Sequence, residues 1–300
     1  MSYTKNMKTL RKHLRRIREQ IPVEDRTFIY LYRLSRPRYW MYIAAPYLIG
    51  YTAGIHTLWA YLNPMFLYSF LFFLFPANLI VYGINDVADV DSDYDNPKKM
   101  KRDVQFKPQQ GQKVLIGILF AALVGLPLFL TSDNRILGSM IFFYVSVLVY
   151  NIPPIRLKAR PFVDMISNAF YLLPAMIGYV QSSHVMVNFY ILIAACIWAF
   201  AQYLFSAIPD MYVDQRAGIR TTAVMLGKRN SMIACALLWF GSATLLALMV
   251  HPVLGVIGLY GLYVLYLKDA DMTEIEKAYG YVQKANIAVM VLLFLLALHI

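Results

Sequence analysis

Apolar residues run along the chain in nine blocks, at roughly 40–59, 65–84, 114–131, 136–152, 162–180, 187–208, 231–250, 252–267 and 285–300, separated by short polar stretches. A helix crossing the hydrocarbon core of a bilayer needs about 20 residues, and each block reaches or approaches that length. The pattern predicts an all-α polytopic membrane protein of about nine transmembrane helices over residues 33–300, preceded by a basic tail over residues 1–32. Pro252 follows the seventh block so closely that the seventh and eighth could form a tight hairpin or a single broken helix.

With nine spans, 27 of the 28 Lys and Arg residues fall on one side, and Arg135 alone falls on the other. Short-loop cations mark the cytoplasmic side, so the N-terminus and the four basic loops are expected there, in a bacterial or archaeal cell membrane. In the tail, Leu10, Leu14, Ile17 and Ile21 stand at helical spacing between basic residues, as in an interfacial amphipathic helix. An Arg-rich transit peptide is the competing reading, but Glu19, Glu24 and Asp25 follow and there is no Ser-rich stretch.

Composition agrees: 59% of residues are apolar and only 15% charged, with a mean hydropathy of +0.52, which excludes an ordinary soluble domain. The net charge of +11 then reflects orientation and anionic headgroups; no nucleic-acid-binding module is visible. Cys196 and Cys235 lie inside apolar blocks and read as packing residues. Gly50-x-x-x-Gly54, and Gly255, Gly258 and Gly261, read as close helix contacts.

Of 17 acidic residues, five fall within ten positions, as Asn85-Asp86-Val-Ala-Asp89-Val-Asp91-Ser-Asp93-Tyr-Asp95. On a helix Asp89 lies about 60° from Asp86 and Asp93 about 20° from it, so these three share a face with Asn85 at its edge, while Asp91 and Asp95 point away. The run continues from a spanning helix at its negative end, where dipole and mutual repulsion both oppose it. A compensating cation is expected. Mg²⁺, a hard ion that binds one or two carboxylates and coordinates phosphate, suits the donors, and Mn²⁺ could substitute. Asp210 and Asp214 form a second cluster on the same side, at a point where Pro209 either kinks the helix or starts a new one. Two acidic clusters flanked by cations suit a diphosphate bridged by metal, with Arg156, Lys158, Lys98 and Arg102 as candidates for its outer oxygens.

Asn85-Asp86-x-x-Asp89-x-x-x-Asp93 resembles the first aspartate motif of the UbiA superfamily of intramembrane prenyltransferases, and Asp210-x-x-x-Asp214 with Gly218 and Thr222 resembles the second. The segment holding Tyr150, Pro153, Pro154, Arg156, Lys158, Arg160 and Asp164 is similar to the family's cytoplasmic loop, so the resemblance covers the chain from about residue 33. It implies helices around a central cavity, capped on the cytoplasmic side and open laterally to lipid. It implies metal on Asn85, Asp86, Asp89, Asp93, Asp210 and Asp214, with Asp86, Asp89, Asp210 and Asp214 central to catalysis. An isoprenyl diphosphate would then donate to a lipophilic acceptor, with Tyr150 and Tyr82 placed to stabilise an allylic cation. Leu34-Ser-Arg-Pro-Arg-Tyr-Trp-Met-Tyr and Asp95-Asn-Pro-Lys-Lys look most like the lycopene-elongase or carotenoid-prenyltransferase branch. An aromatic quinone precursor is the alternative acceptor.

A proton- or cation-coupled transporter is the rival of a different class, but its usual mark, a charged residue in mid-span, is essentially missing. A scaffold would leave both acidic clusters unexplained. His56, His184, His251 and His299 fall near the outer ends of spans, away from the carboxylates, and take no catalytic role.

Overall fold

A computed structural model describes residues 27–89, 106, 108–131 and 133–298; these are helical, with no strand among them. The helices are α1 (Thr27–Leu34), α2 (Met41–Gly54), α3 (Pro64–Ala88), α4 (Gly111–Phe129), α5 (Asn134–Asn151), α6 (Val163–Ser183), α7 (Phe189–Arg216), α8 (Thr222–Met249), α9 (Pro252–Tyr266) and α10 (Met272–Ala297). By length and composition, six of them can cross a membrane: α3, α4, α6, α7, α8 and α10. The nine expected spans therefore stand at six by this measure. Helix α2 has 14 residues, and α9 is likewise short. Helix α5 has 18, but Asn134, Arg135 and Asn151 at its ends dilute its apolar run. Leu119, Phe120, Leu237 and Leu248 face outward and are exposed, as side chains solvated by lipid would be. The chain is an integral membrane protein.

Caps fix the helix ends. Asn63, Asp133 and Asn188 accept the N–H two residues ahead at the starts of α3, α5 and α7, and Asp271 accepts the Glu274 N–H at 2.8 Å at the start of α10. The Arg135 guanidinium hydrogen-bonded to Asp133 holds that carboxyl down to about 2, so this cap is ionised at any physiological pH. Helix α3 breaks at Pro76, which has no N–H to give. Buried Asn78 covers the break by donating its amide to the carbonyls of Phe73 and Leu74, each at 2.9 Å.

The core has two parts, one built from α2 to α6 around Tyr47, Phe72, Phe73 and Phe143, the other from α7 to α10 around Phe205, Met232 and Trp239. Helix α10 packs on α2 and so joins them. Helices α8 and α9 form the hairpin that Pro252 left open, with Trp239 stacked on Tyr260 at 5.3 Å. Helices α2 and α6 touch backbone to backbone: a Cβ at Gly50 would collide with Ala175, and one at Gly178 with the Tyr47 carbonyl. Gly178→Ala should therefore lower stability by about 1–3 kcal/mol, the usual cost of overpacking a rigid contact, read as a lower midpoint of thermal unfolding in detergent. An unchanged midpoint would show that the contact is loose.

Candidate active site

The first acidic cluster sits where α3 ends. Asp86 is buried in the last turn, and Asp89 is the residue that terminates the helix. Arg36, in the turn between α1 and α2, donates Nη2 to Asp86 Oδ1 at 2.5 Å while its guanidinium lies 4.9 Å from the centre of the Tyr82 ring. Asp89 is held from the α5–α6 loop, by Arg156 Nη2 on Oδ1 at 2.9 Å and by Lys158 Nζ on Oδ2 at 2.5 Å. Asn85 donates to Asp89 at 3.2 Å and to the Asn151 side-chain oxygen at 3.0 Å, and Lys158 reaches that same oxygen at 3.0 Å. Asn151, fully buried, anchors the group by donating to the Val147 carbonyl at 2.8 Å.

The second cluster forms where α7 is interrupted. Pro209 ends the regular helix at Ala207; a tight turn over Ile208–Asp210 follows, then a short helix over Met211–Arg216. Sequence leaves kink and restart open, and the chain restarts. Asp214 accepts from the Thr221 hydroxyl at 3.4 Å, and the charges of Asp210, Asp164 and Asp89 act on it, so the two clusters lie at one end of the bundle within electrostatic reach of each other.

Asp164 ties the loop to the start of α8. Its carboxylate is fully buried and accepts from the Thr222 N–H at 2.7 Å, the Thr222 hydroxyl, the Met165 N–H at 2.8 Å and the Tyr203 hydroxyl at 3.4 Å. The Phe162 N–H closes the knot on the Thr222 hydroxyl at 2.6 Å. Among the described residues four non-glycines have positive φ, and Arg36 (53°), Arg156 (38°) and Phe162 (67°) are three of them. Such backbone costs about 1–3 kcal/mol per residue and persists where surrounding structure enforces it. Here it aims two guanidiniums at the two carboxylates of one helix end.

The profile of the UbiA prenyltransferase family matches residues 40–268. The chain belongs to that family. A lycopene elongase/hydratase of Haloarcula japonica is 33% identical over 286 residues, covering 95% of this chain and 96% of its own length. One from Halobacterium salinarum is 36% identical over 224 residues, covering 74% of this chain and 80% of that one. Among solved structures, a UbiA homolog from Archaeoglobus fulgidus bound to GPP and Mg²⁺ superposes with a TM-score of 0.65 over 90% of this chain and 100% of its own, at 20% identity, which establishes the UbiA fold.

Against the family's motifs, the structure brings Asn85, Asp86, Asp89, Arg156 and Lys158 into direct contact or one residue apart, with Asp214 within electrostatic reach of Asp210 and Asp89. Asp93, Lys98 and Arg102 lie outside the described residues, as do Asp91, Asp95 and most of the basic tail. Tyr82 lies beside the cluster beneath Arg36; Tyr150 packs on Phe170 at 5.8 Å. The carboxylate and amide oxygens are hard donors of the kind Mg²⁺ takes. Among the described residues no three His, Cys, Asp or Glu side chains converge on one point, because Asp86 and Asp89 are turned toward Arg36, Arg156 and Lys158. Arg156 keeps its buried Nε–H unpaired, a donor left over for an anion. Arg36 and Asn151 emerge only from the fold. Arg36 is one of eleven cations before residue 40, and Asn151 is a single amide at the end of an apolar block.

Proposed function

We propose that this chain is a membrane prenyltransferase that moves an isoprenyl group from an allylic diphosphate to an acyclic carotenoid such as lycopene. The observation that carries it is the meeting of two acidic clusters with Arg36, Arg156 and Lys158 at one end of a lipid-facing helical bundle. The carotenoid acceptor is favoured by 33% identity over 95% of the chain to a protein named lycopene elongase/hydratase, and the diphosphate donor by the GPP and Mg²⁺ in the Archaeoglobus homolog.

Asn85, Asp86, Asp89, Asp210 and Asp214, with Asp93, would hold a divalent cation, which when bound neutralises charge building on the departing diphosphate. Arg156 and Lys158 would exchange Asp89 for phosphate oxygens while the cation takes the carboxylate, a swap that keeps every charge paired, and Lys98 and Arg102 would add to the diphosphate's cations. Arg36 would keep Asp86 oriented and shield the Tyr82 face until substrate enters. With the diphosphate so held, the C1–O bond would break, and Tyr82, beside the first cluster, and Tyr150 would be the rings to stabilise the allylic cation. The acceptor's double bond then supplies the electrons of the new C–C bond.

The same reading takes the chain as nine spans over residues 33–300, the short helices α2, α5 and α9 included, behind a tail over 1–32. The acidic end would face the cytoplasm as a cap over the cavity, because with nine spans 27 of the 28 Lys and Arg in the sequence fall on its side. Lipid extracts of a lycopene-producing host with and without the protein, compared by mass spectrometry, test it. New carotenoids heavier by one or two isoprenyl units, lost with Asp86→Ala, are the expected result. An unchanged profile with folded protein present would sink the carotenoid reading and move the acceptor to an aromatic quinone precursor.

A further inference from the structure

Three buried polar side chains deep in the bundle have no hydrogen-bond partner within the protein. Asn286 on α10 is fully buried, and both its amide nitrogen and its carbonyl oxygen are unpaired. The Tyr260 hydroxyl on α9 and the Trp239 indole N–H on α8 are unpaired as well, on rings stacked at 5.3 Å. Tyr42 of α2, the helix that packs on α10, lies within electrostatic reach of both the Asn286 amide and the Tyr260 hydroxyl. An unpaired amide is costly in any core, and more so where the surrounding solvent is lipid.

The cluster has a definite position relative to the carboxylates. Tyr279 lies on the same face of α10 as Asn286, seven residues earlier, and within electrostatic reach of Asp210. Asn286 is therefore about 10 Å further along the helix, away from the acidic end. Tyr39 links the cluster to the other motif, with its ring 5.8 Å from Tyr42 and 6.0 Å from Tyr82, the ring under Arg36. At that depth the reactants offer only hydrocarbon. Neither an isoprenyl tail nor an acyclic carotenoid has an atom that can hydrogen-bond an amide. Water does, with two donors and two acceptors, and a buried water makes about three such bonds.

We propose that Asn286, with Tyr42 and Tyr260, holds the water that ends the reaction. This rests on the prenyl-transfer reading above and takes the addition of water from the hydratase in the relatives' names; what is new is where the water is held. After the acceptor's double bond has attacked C1 of the allylic cation, a tertiary cation remains on the neighbouring acceptor carbon. The water oxygen donates a lone pair to that carbon and forms the C–O bond. The resulting oxonium loses one proton, passed by way of the Tyr42 hydroxyl to the released diphosphate. Allylic diphosphate, alkene and water thus give a coupled tertiary alcohol, diphosphate and a proton. Without the held water the same cation loses a neighbouring C–H proton and gives an alkene.

The test uses full-length protein in liposomes with lycopene, an allylic diphosphate and ¹⁸O-water, reading diphosphate release and, by mass spectrometry, the ratio of coupled alcohol to coupled alkene. Wild type should give ¹⁸O-labelled alcohol. Asn286→Leu should lower the alcohol-to-alkene ratio by at least about ten-fold, the effect of losing one buried hydrogen bond, with diphosphate release within about three-fold of wild type. Tyr260→Phe, which removes one oxygen and leaves the packing, should shift the ratio the same way and answers the question if Asn286→Leu fails to fold. An unchanged ratio in both variants, or unlabelled alkene as the sole wild-type product, overturns the assignment while leaving prenyl transfer standing. Absence of any coupled product in wild type would overturn the prenyl-transfer reading, and the water site with it.

Discussion

Asp89→Asn should lower turnover by about 10²–10³-fold while the protein still folds, the loss typical of removing one charge-stabilising group from a preorganised site. Asp89 is the carboxylate on which Arg156, Lys158 and Asn85 converge, so on the proposed reading it sets where the cations that would bind diphosphate stand before substrate arrives. The amide keeps the shape and loses the charge. Arg156 and Lys158 are then left facing a neutral group, and burying them so is unfavourable. Diphosphate release in liposomes, with the thermal unfolding midpoint alongside, separates lost chemistry from lost fold. Asp133→Asn is the control: its carboxylate pairs with Arg135 at the start of α5, apart from both acidic clusters, and its turnover should stay near wild type. If Asp89→Asn and Asp133→Asn behaved alike, the acidic end of α3 would have no special part in the reaction.

Removing divalent cations should be nearly as severe. With excess chelator, turnover should fall by at least about 10²-fold, and Mg²⁺ or Mn²⁺ should restore it, since a metal on a departing phosphate supplies several kcal/mol of charge stabilisation. A second readout needs no catalysis. Inorganic diphosphate with Mg²⁺ should raise the unfolding midpoint, whereas either alone should do so less, because the carboxylates then have only their own cations or the cations only their carboxylates. Full turnover in chelator would remove metal from the site.

Much of this was legible before the fold. Five carboxylates in ten positions at the end of an apolar block have few explanations, and the Arg156–Lys158 loop stands out by its charge density. Pairings across the fold were not. Arg36 meets Asp86 from 50 positions away, and although it stands in the Leu34–Tyr42 stretch that marks the branch, nothing there points to a carboxylate partner. Span limits slipped for a related reason. Helix α10 starts at Met272, capped by Asp271, well before the apolar block at 285, because its first turns carry Glu274, Glu276 and Lys277 and so escape a hydropathy reading. Helix α2 stops at Gly54 because His56 and Thr57 open a tight turn. Asn286 was the least legible. One amide in an apolar helix has no pattern, and only its lack of partners sets it apart.

The Asp86–Arg36 and Asp89–Arg156–Lys158 pairs also bear on the membrane the protein sits in. A bilayer that stores energy as an ion gradient tolerates few wet, charged paths through it, and a bundle that admits long lipids from the side is a weak point in that barrier. At rest these carboxylates are occupied by fixed cations, two of them on strained backbone, so they offer little purchase to a passing proton or sodium ion. A bundle built this way would carry its charges through an energised membrane without short-circuiting it.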